Sequence, residues 1–266
     1  MNITQTVLSD DQVRAFHDGG YVIIRKFFVP EQIQLLNDIA KADKEMDDAD
    51  EHLDAEGAVT RICCRNDLPE DIYSAYTRND RIVSASEQLV GGEVYHFHHK
   101  MMLKEPRVGG AWEWHQDFGY WYLQQYVLFP DMVSAAIAVD AATRENGCIQ
   151  VLRGSNKCGR LEHGTVGGQI GADIEKVQAL INFYKLEIIY AELDPGDVLF
   201  FHCNVLHRSD QNRSELPRWS LICCYNARHN DKYKMNGSDH PGYSPLERWP
   251  DEKIVEIGKR DRPSGR

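Results

Sequence analysis

Positive charge is scarce in this chain of 266 residues. It has 30 lysines and arginines against 41 aspartates and glutamates, which gives a formal net charge of −11 at pH 7. Nucleic acids and anionic membranes attract basic surfaces, so we expect this chain to bind neither. A small anionic ligand needs only a local cationic pocket. The densest acidic stretch, residues 43–56, is interpreted as a solvated helix end or loop rather than a docking site for a cationic partner.

Long apolar runs and targeting signals are also missing. No run approaches the roughly 18 apolar residues that a membrane-spanning helix needs, and residues 1–10 have neither the basic start nor the apolar core of a secretory signal. The seven cysteines are odd in number and include no Cys-x-x-Cys pair. We interpret them as reduced thiols rather than as disulfides or zinc ligands. These absences predict a cytoplasmic protein.

The order of the hydrophobic patterns predicts one domain, mainly β with flanking helices. Residues 1–92 carry mostly helical patterns, including one over residues 71–88, whereas short β-branched and aromatic runs dominate residues 93–228. Helices followed by many short strands favour a jelly-roll β-core with the helices packed outside. Residues 229–266 form a C-terminal tail, and its part from Pro241 onward, which is rich in Pro, Gly and charge, is predicted to be loosely held.

An aromatic stretch in the middle of the chain contains His115-Gln116-Asp117. If this segment is extended, side chains two residues apart point to the same side, so the imidazole and the carboxylate can bind one face of a metal ion. A second histidine, His207, follows the apolar run 198–202. Two histidines and one carboxylate on one face, with the other positions open, form the ligand set of non-haem Fe(II) oxygenases.

An arginine completes this pattern. Arg218 lies eleven residues after His207, and a guanidinium offers paired donors that match a carboxylate. We therefore predict that Arg218 binds the distal carboxylate of 2-oxoglutarate, whose 2-oxo acid end takes two open positions on iron and leaves the third to O₂. If His207 and Arg218 lie on adjacent antiparallel strands, both can face the interior. Ser220 would then project beside Arg218 and add a hydroxyl donor.

A set of motifs between residues 10 and 226 resembles the phytanoyl-CoA dioxygenase-like (PhyH) family, which also contains ectoine hydroxylase. The matching pieces are Asp18-Gly19-Gly20-Tyr21, Met102-Leu103-Lys104, His115-Gln116-Asp117, Glu145-Asn146-Gly147-Cys148, Leu152-Arg153-Gly154-Ser155, Gly196-Asp197-Val198-Leu199-Phe200-Phe201-His202, His207 and Arg218. The resemblance implies a double-stranded β-helix, Fe(II) and 2-oxoglutarate, with release of succinate and CO₂. One departure is that Arg153 and Asn156 stand where the family usually has Pro and His around this turn.

The resemblance also assigns residues by position. It implies that His115, Asp117 and His207 bind iron and that Arg218 binds the cosubstrate. Lys104 matches a lysine that contacts 2-oxoglutarate, although a solvated lysine at a strand end is an alternative. Related halogenases have Ala or Gly in place of the carboxylate, so Asp117 favours hydroxylation. Desaturation, epimerisation and ring formation use the same ligands and stay open.

The substrate is expected beside the His-x-Asp segment. Phe118, Trp121 and Tyr122 are candidates for its aromatic wall, and Tyr225 and Asn226 end the strand that carries Arg218. Packing of the barrel mouth is the alternative for the aromatic residues. A small metabolite fits better than a fatty acyl-CoA, because no basic cluster is present to receive the CoA phosphates. We expect a monomer or homodimer.

The sequence also offers other candidate metal ligands and other candidate functions. His96 and His98 alternate on one predicted strand and raise the hypothesis of a second metal site, with packing as the favoured alternative. His202 is the rival of His207 as a ligand. A cupin-type metalloenzyme that does not use 2-oxoglutarate would have no role for Arg218. A catalytically silent metal- and 2-oxoglutarate-binding module is the third possibility.

Overall fold

The structure is a computed structural model that describes residues 6–234, 240 and 242–263. The helices are α1 (Asp10–Gly19), α2 (Pro30–Ala42), α3 (Ile72–Thr77), α4 (Asp80–Val90), α5 (Asp117–Gln124), α6 (Ile174–Asn182) and α7 (Asp251–Asp261). The strands are β1 (Tyr21–Ile24), β2 (Asp50–Leu53), β3 (Val59–Arg65), β4 (Val94–Lys104), β5 (Trp112–His115), β6 (Met132–Ala138), β7 (Ile149–Leu152), β8 (His163–Val166), β9 (Gln169–Ala172), β10 (Ile188–Ala191), β11 (Val198–His202), β12 (His207–Ser209) and β13 (Arg218–Ala227). None of the helices in these ranges has the length and apolar character needed to cross a membrane.

Two antiparallel sheets form the core. The larger sheet has seven strands in the order β1-β11-β6-β13-β4-β3-β2, and the smaller has four in the order β10-β7-β12-β5. A separate hairpin, β8-β9, packs against β5. This arrangement is the double-stranded β-helix, or jelly roll, that the sequence predicts.

The larger sheet has a different apolar layer on each face. On β13, Leu221 and Cys223 belong to the cluster shared with the helices, whereas Ile222 and Cys224 belong to the cluster between the two sheets. Successive side chains of a strand point to opposite faces, so a strand buried on both sides is apolar throughout. The helices α1 to α4 and α7 cover one face of the larger sheet and leave the space between the sheets for the site.

The mostly helical N-terminal part, residues 1–92 in the prediction, also contributes strands to the larger sheet. β1 pairs with β11 at one edge, and β2 and β3 extend the other edge beyond β4. The predicted helix 71–88 is also two helices, because the Asn79 side chain accepts hydrogen bonds from the Arg81 and Ile82 amides and starts a new helix there. The acidic stretch 43–56 is mostly exposed, and it contains the short strand β2 beside the expected turn and loop.

The prediction of a loosely held tail from Pro241 onward is wrong for the last helix. α7 packs against α2 and α3, and its Ile254 and Ile257 side chains are fully buried in the helix-side cluster. The pattern of Pro, Gly and charge before α7 conceals a short amphipathic helix. Residues 235–239, 241 and 264–266 of the predicted tail lie outside the described residues.

Replacing Ile254 with alanine should lower the free energy of unfolding by about 2–5 kcal/mol, because the change leaves a cavity among well-packed helices. Urea unfolding followed by circular dichroism measures the change. Glu252→Ala, on the exposed side of α7, serves as the control and should cost less than about 1 kcal/mol. Equal small losses in both variants would mean that the helix is not anchored as described.

Candidate metal centre

Three side chains converge between the sheets. His115 on β5 lies opposite His207 on β12, and their ring centroids are 4.0 Å apart. Asp117 Oδ1 lies 3.8 Å from His115 Nε2 and 3.9 Å from His207 Nε2. One ligand atom from each residue lies within 4.8 Å of the others, and no other group of three or more such residues occurs in the described ranges. The structure therefore brings together the three residues predicted to bind iron.

Hydrogen bonds orient these ligands toward a common point. The Nδ1 atoms face the carbonyl oxygens of Glu113, at 2.8 Å from His115, and Val205, at 3.1 Å from His207. Each Nδ1–H donates to its carbonyl, which leaves Nε2 as a free electron pair donor. Burial lowers the pKa of both histidines and so favours the neutral imidazole that a metal requires. The Ser134 hydroxyl donates to Asp117 Oδ2 at 3.1 Å, which leaves Oδ1 facing the histidines.

Asp117 does not lie on a strand as expected, although its side chain does point to the same side as that of His115. β5 ends at His115, Gln116 caps α5, and Asp117 is the first helical residue. Gln116 still has an extended backbone, with φ −110° and ψ 128°. Because one extended residue separates them, His115 and Asp117 project to the same side even though the strand has ended.

The turn into α5 depends on residues that sequence reasoning missed. The Gln116 amide donates to His163 Nε2 at 3.0 Å, and the Gln116 side chain donates to the Asn204 carbonyl at 2.9 Å. The His163 ring lies so close to Gly119 that a Cβ there would come within 2.1 Å of it. No sequence motif identifies His163, Asn204 or Ser134, because each of them acts on the site from a distant segment of the chain.

Arg218 lines the same cavity as the three ligands. It is 3% exposed, and its one hydrogen bond within the described residues joins Nη1 to Ser220 Oγ at 3.4 Å. Burial lowers its pKa to about 10, so the guanidinium stays charged at neutral pH. The expected adjacency of the strands carrying His207 and Arg218 is wrong, because β12 and β13 belong to different sheets that face each other. Both side chains still reach the same space.

Lys104 lies opposite Arg218 in the pairing of β4 with β13. Its side chain is fully buried, and its ammonium group donates a hydrogen bond to the Asp210 carbonyl. Burial and then the neighbouring Arg218 lower its pKa. The alternative of a solvated lysine at a strand end is therefore wrong. A role toward the cosubstrate stays a prediction, since Lys104 is not among the residues that line the cavity.

The cavity has a volume of about 350 Å³, within the small-molecule range. Of the four predicted substrate residues, only Trp121 lines it, together with Trp112 and Tyr120. Phe118 and Tyr122 pack on each other with ring centroids 5.6 Å apart, away from the cavity wall. Asn226 donates to the Tyr95 hydroxyl and the Asn230 carbonyl, both at 2.8 Å, and Tyr225 lies on the helix side of the sheet.

A β-bulge separates the two histidines proposed for a second metal site. The register of β4 shifts at Phe97, because His96 pairs with Tyr225 and His98 pairs with the preceding Cys224. The extra residue reverses the alternation, so His98 faces the cavity whereas His96 lies 3.1 Å from His99. The shared face expected for His96 and His98 is therefore wrong.

The rival ligand His202 also lies apart from the three converging residues. Its Nδ1 accepts a hydrogen bond from the Asn204 amide at 3.0 Å, and its ring packs 5.9 Å from that of Phe16. The odd spacing between His202 and His207 is consistent with this separation.

Fold and ligand set together define a class, the non-haem iron oxygenases built on a double-stranded β-helix. The model of the family Phytanoyl-CoA dioxygenase (PhyH) matches residues 16–220. The chain belongs to this family of Fe(II)- and 2-oxoglutarate-dependent oxygenases, as the sequence motifs predict.

Known proteins resemble the chain in sequence and in fold. It is 30% identical to L-proline trans-4-hydroxylase of Streptomyces griseoviridis over 170 residues, which is 59% of this chain and 63%, or less than two thirds, of that enzyme. It is 27% identical to a probable phytanoyl-CoA dioxygenase of Caenorhabditis elegans over 83% of this chain and 76% of that protein. The crystal structure of EctD from S. alaskensis with bound Fe has a TM-score of 0.75 at 22% identity, covering 94% of this chain and 89% of that one.

Replacing Ser134 with alanine should weaken Fe(II) binding by about 10-fold, because the hydroxyl that orients Asp117 is lost. Anaerobic titration of the purified protein with Fe(II) measures the affinity. Ser86→Ala removes a buried hydroxyl that bonds only within α4 and should leave the affinity unchanged. Unaltered binding in Ser134→Ala would show that Asp117 holds its orientation without this hydrogen bond.

The buried histidines of β4 predict a loss of stability in acid. Burial lowers the pKa of His96 to about 2 and of His99 to about 3. Below the usual value of 6.5 the unfolded chain binds protons that the folded protein excludes, so stability falls as pH drops toward these lower values. In His99→Gln the slope of unfolding free energy against pH should decrease by about 1.4 kcal/mol per unit between about pH 6 and pH 4. Exposed His17→Gln is the control, and an unchanged slope in His99→Gln would contradict the assignment.

Proposed function

We propose that this protein is an Fe(II)- and 2-oxoglutarate-dependent dioxygenase that hydroxylates a small-molecule metabolite and releases succinate and CO₂. The observation that carries the proposal is the placement of three converging ligands and a buried, unpaired arginine in one cavity. The relatives named for proline and ectoine act on small metabolites, which supports this substrate class. The protein would then bind a small-molecule substrate and O₂.

The residues present fit Fe(II). His115 and His207 offer neutral nitrogen donors, and Asp117 offers one carboxylate oxygen, a donor set that suits iron and leaves open positions. Fe(II) held by His115, Asp117 and His207 would supply O₂ activation with 2-oxoglutarate for the oxidation of a substrate C–H bond. The chain supplies fixed orientation through the carbonyls of Glu113 and Val205 and the hydroxyl of Ser134. Tyr120 packs beside the His115 ring and Phe201 beside the His207 ring.

The surroundings of Arg218 fit 2-oxoglutarate. A buried guanidinium without an acidic partner is costly, and an anionic ligand removes that cost. Arg218 has no salt bridge with a described carboxylate, and its Nε lacks a hydrogen-bond partner there. A carboxylate between Arg218 and Ser220 would satisfy these donors. Lys104, opposite Arg218 on the neighbouring strand, is proposed to add positive potential to the same end of the cavity.

Two other functions make different predictions for Arg218. A cupin-type metalloenzyme without 2-oxoglutarate leaves Arg218 with no ligand, and a silent module binds the cosubstrate without turnover. The buried unpaired guanidinium favours a 2-oxoglutarate enzyme over the first. Hydroxylation is favoured by the presence of Asp117, while desaturation, epimerisation and ring formation stay compatible with it. Cytoplasmic location and the monomeric or homodimeric state stay predictions.

Anaerobic titration of the Fe(II) protein with 2-oxoglutarate tests the proposal through the visible charge-transfer band of the chelate. We expect a band in the wild type and none in His207→Ala. Arg218→Ala should weaken 2-oxoglutarate binding by about 100-fold, because charge-assisted hydrogen bonds are lost. Arg153→Ala, which removes an exposed arginine near Glu187, is the matched control. Iron binding without a band in the wild type would overturn the cosubstrate assignment, and no iron binding would overturn the centre itself.

A further inference from the structure

Two polar side chains of β4 face the cavity without partners. His98 and Lys100 lie two residues apart after the bulge, so both point to the side that carries the three converging ligands. His98 is 5% exposed, and neither of its ring nitrogens has a hydrogen-bond partner within the described residues. The Lys100 ammonium makes no hydrogen bond or salt bridge with the part of the chain that the structure describes. Buried polar groups are normally paired, so the buried His98 points to a ligand, and the half-buried Lys100 beside it offers a cation to that ligand.

Asp117 does not serve as the partner of Lys100. Of the described carboxylates it attracts Lys100 most strongly, yet the two form no salt bridge. Asp117 is already held by Ser134 and faces the two histidines. A divalent cation at that point would cancel the attraction of Asp117 for Lys100. The ammonium would then face the cavity as an uncompensated charge.

The charges that line the cavity require a second anion. Lys100 and Arg218 are cations, Asp117 is an anion, and Arg208 is paired with Asp210 outside this balance. Fe(II) adds two positive charges and 2-oxoglutarate adds two negative ones. At least one positive charge is then left over, since Lys104 beside Arg218 can only add to it, and Lys100 forms no ion pair with an acidic side chain of the described residues. A substrate with a carboxylate restores neutrality.

Lys100 stands apart from the distal cosubstrate site. The pairing of β13 with β4 places Arg218 opposite Lys104 and Ile222 opposite Lys100. Four residues of strand separate the two levels, or about 13 Å. Arg218 and Lys100 therefore start from well-separated levels of the sheet, which favours separate carboxylates for them. Next to Lys100 the cavity is bordered by Trp121, whose ring meets His98 edge-on at 5.5 Å, so an apolar body can lie beside the charged end.

We propose that Lys100 and His98 bind the carboxylate of the substrate, so that this enzyme oxidises a small carboxylic acid. The Lys100 ammonium pairs with the carboxylate, and the His98 imidazole donates a hydrogen bond to it. The body of the acid lies between Trp121 and the three converging ligands, which presents its C–H bonds to iron. This inference rests on the proposed function and specifies its substrate class.

The test uses the Fe(II)–2-oxoglutarate complex of the full chain under anaerobic conditions. Substrate binding is read as a perturbation of its visible band, with a panel of small aliphatic, aromatic and amino carboxylic acids and their primary amides. Wild type should respond to one or more acids and discriminate against the matching amides. Lys100→Met should weaken binding of the acid by about 100-fold and abolish that discrimination, whereas Lys100→Arg should keep it. Lys259→Met changes an exposed lysine of α7 in the same chemical way, away from the cavity.

The affinities for iron and 2-oxoglutarate distinguish a substrate-binding role of Lys100 from a role in binding the cosubstrate or positioning Asp117. In Lys100→Met, affinity for 2-oxoglutarate should stay within about twofold of wild type, because Arg218 and the metal hold that molecule. Fe(II) affinity should be equal or higher, since a positive charge near the metal has been removed. Weaker 2-oxoglutarate binding would assign Lys100 to the cosubstrate, and weaker iron binding would assign it to positioning of Asp117.

The remaining outcomes also decide the question. The proposal is overturned if no acid perturbs the wild-type band, or if Lys100→Met keeps the preference for acids over amides. A wild type that forms no band with 2-oxoglutarate is a different failure, because it contradicts the proposed function before any substrate is added.

Discussion

The pairing of β12 with β5 sets His115 directly across from His207, and the centre is built around that contact. Cross-strand neighbours have a short, fixed separation, and each ring is held by a backbone carbonyl two residues before it in the chain. Both Nε2 atoms are therefore positioned by backbone geometry alone. The third ligand, Asp117, comes from the segment that follows β5 and is the first residue of α5.

A protein with an excess of acidic residues can still have a cationic interior. Arg218, Lys104 and Lys100 all lie on the single antiparallel pair β13-β4, and their nearest compensation is Asp117 or a backbone carbonyl. Net charge describes the outer surface, where most acidic groups are solvated. It carries no information on the potential between the two sheets, which is what small anions encounter.

The site residues could be predicted from the sequence when their chemistry and their order in the chain were enough to identify them. The spacing of His115, Asp117, His207 and Arg218 singled out residues that the fold brings into one cavity. It failed where placement depends on distant contacts, as when the bulge at Phe97 turns His98 toward the cavity. Phe118 and Tyr122 were misplaced for the same reason, since α5 begins where a strand was expected and rotates them away. No local sequence pattern predicts the bulge at Phe97 or the start of α5, where the Gln116 amide bonds to His163.

The helical position of Asp117 has an evolutionary consequence. The two histidines belong to a strand pair, whereas the carboxylate belongs to the helix that follows it, so the third ligand is structurally separable from the other two. Descendants of such a scaffold can exchange the acid for a small residue without disturbing the histidine pair. A vacant coordination position for another anion then becomes accessible in a single mutational step. The architecture thus allows new reaction types to arise by changing one helix terminus while the sheets are inherited intact.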